Sequence, residues 1–196
     1  LLGTISAEAA AATGLAIGTP VIGGAADHIA SAYAAGIRKP GDVLLKFGGS
    51  ADILIATTQA RPDPRLFLDH HLIPGLWMPN GCMASGGTTL NWFVERIACV
   101  QAEVAAKAGE SPHVSLDRLA TDTPPGAEGG FALPHFLGEK TPIHDALARG
   151  AFLGMSLSHG IPHLWRALLE GFAFAFRHHV AVLEETGQPA TRFLAS

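Results

Sequence analysis

The sequence predicts a single α/β domain, because segments with the pattern of strands and segments with the pattern of helices are mixed along its length. Two apolar runs each end in a pair of glycines, and a long amphipathic segment lies near the C-terminus. At 196 residues, with 48% hydrophobic and 15% charged side chains, the chain is long enough and apolar enough to bury one core.

Composition argues against several classes of partner. A net charge of −4 and the lack of any run of lysine or arginine predict that the chain binds no nucleic acid. No apolar stretch approaches the roughly 20 residues of a membrane span, so no membrane partner is expected. Cys82 and Cys99 are the only cysteines. Such sparse use of thiols indicates a reducing, cytoplasmic location. The histidine pairs have no cysteine or carboxylate at ligand spacing, so no metal-binding residue is predicted.

In the first half of the chain, short helices alternate with strands. Ser6 is a typical N-cap for a helix over 7–13 that Gly14 ends. Further along, the patterns predict a strand over 19–23, a helix over 29–35, strands over 43–47 and 50–57, a loop over 59–65 that contains two prolines, and a strand over 76–84.

In the second half, two helices dominate the pattern. Thr88 is a candidate cap for a helix that reaches Lys107. Residues 108–130 are rich in Gly, Pro and Ser and contain one short helical patch over 116–120, so a surface excursion is expected there. Pro162 suits the first turn of the last helix, Gly187 suits its end, and a strand begins after it at Thr191.

The stretch from Val21 to Ser50 is the strongest candidate for chemistry. Asp27 follows four small residues and precedes a helix, so its carboxylate is placed to take a proton from a hydroxyl group. The alternative is that Asp27 caps the helix. Gly48-Gly49-Ser50 ends an apolar strand, and it is either a phosphate-binding turn or a plain turn. The chain has no Walker A motif and no dinucleotide fingerprint.

These residues belong to a longer series of motifs. The series is Ala12-Thr13-Gly14-Leu15, Gly18-Thr19-Pro20-Val21, Gly24 with Asp27, Gly48-Gly49-Ser50, Pro74-Gly75-Leu76-Trp77, Gly86-Gly87, Leu90-Asn91-Trp92-Phe93, Gly138-Glu139-Lys140-Thr141-Pro142, Gly150-Ala151-Phe152-Leu153-Gly154-Met155 and His163-Leu164-Trp165-Arg166-Ala167-Leu168-Leu169-Glu170. In content and order it resembles the C-terminal domain of the FGGY carbohydrate kinases, the family of xylulokinase, ribulokinase, gluconokinase and glycerol kinase.

The resemblance implies a fold and an extent. Family members have two domains, each like ribonuclease H, of the actin, hexokinase and heat-shock ATPase superfamily. Residues 1–196 correspond to most of the second, nucleotide-side domain, and residues 1–18 to a lead-in from the first. The sequence stops at Ser196, before the family's glycine-rich adenosine-binding segment, so we expect the domain to be incomplete at its C-terminal end.

The resemblance also implies a reaction, transfer of the ATP γ-phosphoryl group to a sugar or polyol hydroxyl with Mg²⁺. Asp27 would be the base, and backbone N–H groups of Gly48, Gly49 and Ser50 would cradle the phosphate. Gly87 matches a position where the backbone meets the nucleotide, and Gly86 would leave room there.

Two positions depart from the family. Many members have Thr at the position of Gly49, and the adjacent Ser50 is a candidate substitute for that hydroxyl. His28 stands where a small or amide residue is common. It is either a positioning residue for Asp27 or, as histidine habits favour, a solvent-facing side chain of the first helical turn.

Two functions remain open from the sequence. The first is a kinase for a sugar or polyol, with a pentulose such as xylulose as the expected substrate. The alternative is a non-catalytic binding or scaffold module with the same fold. An exposed sheet edge would favour self-association, so a homodimer is a further expectation.

Overall fold

The computed structural model describes all residues from Leu1 to Ser196. Its strands are β1 (Gly3–Thr4), β2 (Pro20–Val21), β3 (Asp42–Phe47), β4 (Ala51–Ile55), β5 (Phe67–His70), β6 (Trp77–Met83), β7 (Phe131–Leu133), β8 (Ala151–Leu153) and β9 (Arg192–Ala195). Its helices are α1 (Ala7–Thr13), α2 (Asp27–Ala34), α3 (Gly87–Arg96), α4 (Cys99–Lys107), α5 (Pro112–Leu119) and α6 (Ile161–Glu185), with a short 3₁₀ helix at Ala127–Gly129.

A five-stranded sheet in the order β5-β6-β4-β3-β9 is the centre of the fold. The pairs β3–β4, β4–β6 and β5–β6 are antiparallel, whereas β9 runs parallel to β3. Residues 48–50 connect β3 to β4 as a tight turn, which the register Phe47↔Ala51 closes. Two small sheets, β1–β2 and β7–β8, lie outside this sheet.

Helix α2 packs on one face of the sheet. Ile29 and Ala32 of α2 are buried against Leu44, Leu54 and Met78 from three neighbouring strands. Each fully buried Ile, Leu or Met side chain stabilises the fold by about 1.5–3 kcal/mol, because its apolar surface is removed from water. This packing fixes the direction of α2, and the first residue of the helix therefore has a set position relative to the sheet.

Helix α6 packs on the other face. Leu183 near its end is buried with Val43, Ile53 and Ile55 of the sheet. Trp165 near its start is buried with Phe93 of α3, and its indole N–H donates to Asp117 Oδ1 at 2.8 Å. None of the helices has both the length and the apolar character that a membrane crossing requires.

Most predicted elements are confirmed within a few residues. Ser6 caps α1 by accepting the Ala9 N–H at 3.2 Å, and Gly14 ends it in the left-handed conformation. The last helix begins at Ile161, with Pro162 in its first turn, as expected. Sequence reasoning missed the edge strand β5 and the β7–β8 pair, which are only three or four residues long.

The strand expected over 19–23 is shorter than predicted and lies elsewhere. Only Pro20 and Val21 pair, and they pair with β1 in a separate sheet. This strand and β3 therefore do not belong to the same sheet. Asp27 is instead placed by the packing of α2.

The helix expected over 88–107 is two helices, α3 and α4. The break lies at Ile97–Ala98, where both N–H groups donate to the Phe93 carbonyl, each at 2.9 Å. The N-cap of α3 is Gly86, not Thr88. The segment expected to be a surface excursion, 108–130, contains α5 and contributes buried side chains to the core next to α6: Leu116, Ala120 and Ala127.

A buried carboxylate joins two segments that are far apart in the chain. Asp42, at the start of β3, accepts hydrogen bonds from the backbone N–H groups of Arg38 and Lys39 at 3.0 and 2.9 Å. It also accepts from Arg192 of β9, at 2.8 Å from Nε and 2.9 Å from Nη2. The Arg192 guanidinium and the two N–H groups hold the pKa of Asp42 well below its usual range. Asp42 thus connects the α2–β3 turn to the last strand.

We expect Asp42→Asn to lower the free energy of unfolding at pH 7 by about 2–3 kcal/mol, because charge-assisted hydrogen bonds are lost. The folded-state pKa of Asp42 lies below the value of about 3.9 for a free aspartate, so this contribution is complete above pH ~4 and is lost as pH falls further. Urea unfolding at pH 7 and pH 3 measures both effects. The exposed Asp122→Asn is the control. Equal unfolding free energies for Asp42→Asn and wild type at pH 7 would contradict the assignment.

Candidate functional site

The turn between β3 and β4 is held by the first residues of α3. The Gly87 N–H donates to the Gly48 carbonyl at 2.7 Å, and the Gly86 N–H donates to the Gly49 carbonyl at 2.9 Å. Thr88 adds its hydroxyl, 2.7 Å from the same Gly49 oxygen, and its N–H at 3.2 Å. The N-terminus of α3 therefore uses its free N–H groups on the turn and not on a ligand.

This arrangement sets the direction of two other N–H groups. In a trans peptide unit the C=O and the following N–H point in opposite directions. Because the carbonyls of Gly48 and Gly49 point to α3, the N–H groups of Gly49 and Ser50 point away from it. Neither N–H has an acceptor within the protein. The two adjacent, unpaired donors lie on the same side of the turn and together are suited to an anion.

The Gly48 N–H is not free, in contrast to what the resemblance implies. It donates to the Ser50 carbonyl at 2.9 Å and so closes the turn on itself. Gly48 contributes to the turn through its carbonyl, which Gly87 holds.

Gly86 and Gly87 allow α3 to approach the turn this closely. A Cβ atom at position 86 would lie 2.7 Å from the Ser50 oxygen, and one at position 87 would lie 2.8 Å from the Gly48 oxygen. Both distances are shorter than atoms can approach without displacement of backbone. The space that side chains at positions 86 and 87 would need is therefore occupied by the β3–β4 turn.

The turn lies beside two cavities. Gly48 and Gly49 line a cavity of about 360 Å³, together with Gly87, Thr88 and His113. Ser50 lines another of about 350 Å³, which also contains Asp27, His28, Lys46, Asp52, Asn80, Cys82 and Lys140. The turn thus contributes residues to the walls of both cavities.

Asp27 is the first residue of α2, and Ala26 is the N-cap. The carboxylate accepts the adjacent His28 N–H at 2.7 Å, and 93% of its side chain is exposed. Hydrogen bonding to the His28 N–H, then to the His28 ring, and the charge of Lys46 lower the pKa of Asp27. Asp27 is therefore ionised near pH 7 and able to accept a hydrogen bond from a hydroxyl.

A row of polar residues crosses the sheet in the Asp27 cavity, and sequence reasoning missed it. Lys46, Asp52 and Cys82 are cross-strand neighbours on β3, β4 and β6. Lys46 Nζ lies 3.6 Å from Asp52 Oδ2, and Lys140 Nζ lies 3.7 Å from Cys82 Sγ. Burial raises the pKa of Cys82 to about 11, so the thiol is neutral. The sequence feature that could have indicated this row is a charged residue inside each of two apolar strands, Lys46 in β3 and Asp52 in β4.

The buried Glu139 holds the segment that carries Lys140. One carboxylate oxygen of Glu139 accepts the N–H groups of Ala84 and Lys140, at 3.0 and 2.8 Å. The other lies 2.8 Å from His135 Nδ1. With this anchor, the ammonium group of Lys140 is kept at the same cavity as Asp27.

Comparison with known proteins finds a family match and several relatives. The family model for the C-terminal domain of the FGGY family of carbohydrate kinases matches residues 44–196. The chain is 30% identical over 194 residues to the gluconokinase of Bacillus subtilis, covering 97% of this chain and 38% of that protein. It is 30% identical over 185 residues to the xylulose kinase of Lactococcus lactis, covering 94% of this chain and 35% of that protein.

The crystal structure of xylulose kinase from Rhodospirillum rubrum has the same fold. It superposes with a TM-score of 0.85 at 58% identity, over 100% of this chain and 38% of that one. The expected α/β fold of the actin, hexokinase and heat-shock ATPase superfamily is therefore confirmed. The chain spans less than two fifths of the length of these three proteins.

The family match over most of the chain, the order of the motifs and the shared fold lead to one conclusion: the chain belongs to the FGGY family of carbohydrate kinases and carries that family's C-terminal domain.

Proposed function

We propose that this chain is the nucleotide-side part of an ATP-dependent kinase that phosphorylates a hydroxyl of a sugar or polyol. The observation that carries the proposal is the position of the unpaired Gly49 and Ser50 N–H groups, on a turn beside a cavity that contains the ionised Asp27. An anion site next to a base is the arrangement that phosphoryl transfer to an alcohol requires.

Asp27 acts as the general base in this proposal. Its carboxylate accepts a hydrogen bond from the acceptor hydroxyl and takes the proton as that oxygen bonds to the γ-phosphorus. The bond from the γ-phosphorus to the bridging oxygen of ATP breaks, and ADP leaves with the electron pair. The free N–H groups of Gly49 and Ser50 stabilise the transferring phosphoryl group.

Positively charged groups offset the negative charge of the phosphates in this step. Lys46 and Lys140 bring positive charge to the Asp27 cavity. No group of three His, Cys, Asp or Glu residues is placed to hold a metal ion. Mg²⁺, which the family resemblance implies, would enter with ATP and would supply neutralisation of phosphate charge beside Lys46 and Lys140.

The names of the relatives support a small sugar as the acceptor. The Rhodospirillum rubrum structure at 58% identity is of a xylulose kinase, and a pentulose such as xylulose is our proposed substrate. We also propose a cytoplasmic location, where ATP is abundant, and a homodimer formed through surfaces that the chain leaves exposed.

The alternative, a non-catalytic binding or scaffold module, rests on the missing hydroxyl at position 49. The Thr88 hydroxyl would lie 3.3 Å from a Cβ at position 49, but it donates to the Gly49 carbonyl on the α3 side of the turn and does not replace the missing group. The backbone N–H groups of Gly49 and Ser50 do not depend on a side chain at position 49, so the proposed anion site keeps both donors and the kinase is the better-supported function.

We expect Asp27→Asn in the full-length gene product to reduce kcat by about 10²- to 10⁴-fold, the usual contribution of a general base. Steady-state assays coupled to ADP release, with a panel of pentuloses, hexuloses and polyols, measure the effect. The matched control is Glu8→Gln, which removes a first-turn carboxylate from α1, away from the cavity. Near-normal turnover of Asp27→Asn would show that the base lies elsewhere.

We expect Gly49→Thr to bind ATP as tightly as wild type or more tightly, because the contact with Thr88 Oγ1 needs a shift of only a few tenths of an ångström. Gly86→Ala should weaken ATP binding by tenfold or more, because its Cβ would displace the Ser50 backbone. Calorimetry with Mg-ATP compares the two variants. Strong loss of binding in Gly49→Thr would mean that the turn has another conformation.

We expect residues 1–196, expressed alone, to fold at least partly but to show no sugar kinase activity. Phosphoryl transfer requires both substrates to be held in a closed, water-poor cleft, and the chain covers only 38% of its relatives' length. The isolated chain should also self-associate through its exposed apolar surface, which gel filtration with light scattering detects. Turnover above background by this chain would show that the acceptor site is misplaced.

A further inference from the structure

The His28 ring connects Asp27 to the edge of the sheet. His28 Nδ1 lies 3.4 Å from Asp27 Oδ1, and His28 Nε2 lies 3.1 Å from Asp69 Oδ2 on β5. Only 29% of the His28 side chain is exposed, so the solvent-facing interpretation does not describe it. Resting on the proposed function, we propose that His28, anchored by Asp69 and Asn80, is the positioning residue of the base Asp27.

The anchor reaches into rigid structure. Asn80 on β6 is buried, and its Nδ2 donates to Asp69 Oδ2 at 2.8 Å and to the Met78 carbonyl at 3.1 Å. Asp69 and Asn80 lie on paired strands, in which Phe67 is opposite Asn80 and Asp69 is opposite Met78. The carboxylate of Asp69 therefore has a defined position and fixes the outer nitrogen of His28.

Asp27 needs such a support because nothing else holds its side chain. Its side chain is 93% exposed, and its hydrogen-bond partners are the backbone N–H and the ring of His28, both at Oδ1. An exposed carboxylate with free rotation would spend little time in a reactive orientation. With Oδ1 held by His28, Oδ2 is left for the acceptor hydroxyl.

The contact with His28 involves only Oδ1 of Asp27, so Oδ2 is the oxygen that takes the proton of the acceptor hydroxyl. His28 orients the carboxylate in this step and exchanges no proton with it.

The test uses the full-length gene product and four variants. His28→Ala removes both contacts, and His28→Asn keeps a side-chain amide that can donate to Asp27 from near the position of Nδ1 but does not reach Asp69. Asp69→Ala removes the anchor, and the fourth variant combines His28→Ala with Asp69→Ala. His70→Gln is the control, because His70 adjoins Asp69 in sequence but its ring packs on Trp77 at 4.2 Å. Steady-state kinetics give kcat and KM for Mg-ATP and for the sugar.

We expect His28→Ala to lower kcat by about 10- to 100-fold, the scale of a small misplacement of a reacting group, with sugar KM changed less than about threefold. His28→Asn should recover part of this loss. Asp69→Ala should lower kcat by about fivefold or more, and the double variant should be no slower than His28→Ala, because Asp69 acts through His28. His70→Gln should match wild type.

The pH profile separates positioning from a general structural effect. The His28 ring lowers the pKa of Asp27, so its removal should move the acid limb of kcat to higher pH, while the backbone N–H of residue 28 remains. Lys46, Asp52 and Lys140 in the same cavity, and Asp69 beside it, stay unchanged in His28→Ala. Melting temperatures within about 2 °C of wild type show that the variants are folded. If His28→Ala does not fold, the kinetics of His28→Asn and Asp69→Ala test the inference instead.

Three outcomes overturn the inference. One is a His28→Ala enzyme within twofold of wild type with an unmoved acid limb. Another is additivity of the His28 and Asp69 substitutions. These two leave the proposed function intact if Asp27→Asn remains inactive. The third is a wild-type protein without sugar kinase activity, which overturns the proposed function and this inference together.

Discussion

The contact between the start of α3 and the β3–β4 turn is the constraint on which the site depends. A helix N-terminus has unpaired N–H groups, and here those groups are spent on the carbonyls of Gly48 and Gly49. The N–H groups that remain for a ligand are those of Gly49 and Ser50, which belong to the same peptide units and point to the opposite side of the turn. A helix start thus organises the proposed anion site indirectly, by orienting a neighbouring turn. The requirement for two glycines at 86 and 87 follows from the closeness of this contact.

The same sheet face serves two purposes at its two ends. Under α2 it is apolar, with Leu44, Leu54 and Met78 buried. Beyond the N-terminus of α2 it carries Lys46, Asp52 and Asn80 in an open cavity. Strand alternation produces this continuity, because residues two apart on β3, β4 and β6 share a face. Asp27 lies at the border between these regions, which is where a helix packed on the apolar end must begin.

Two aspartates, each the first residue of a helix or strand, have different environments that suit different roles. Asp42 is nearly buried, with four donors, and its hydrogen bonds tie β9 to β3. Asp27 is almost fully exposed and has one neighbouring residue as its support. The first is suited to stability, and the second keeps an oxygen available for a ligand. In both, hydrogen bonds to the ionised form lower the pKa, but only Asp42 has both carboxylate oxygens hydrogen-bonded within the protein.

By itself the sequence determined the α/β class and most of the larger elements, because these depend on local patterns: alternating or helical apolar spacing, caps such as Ser6, and glycine turns such as 48–50. The content and order of its motifs carried the resemblance to the family, and that resemblance made Asp27 and the turn parts of one candidate site. It did not determine which N–H groups of the turn are free, because that depends on where the distant α3 places its own donors. It did not separate a capping from an accessible Asp27, or detect that His28 reaches Asp69, 41 residues away. Nor did it show that Lys46, Asp52 and Cys82 form one row, since strand register is set by pairing across the sheet. Only the tertiary structure decided these points, because each depends on the relative placement of groups that are far apart in the chain.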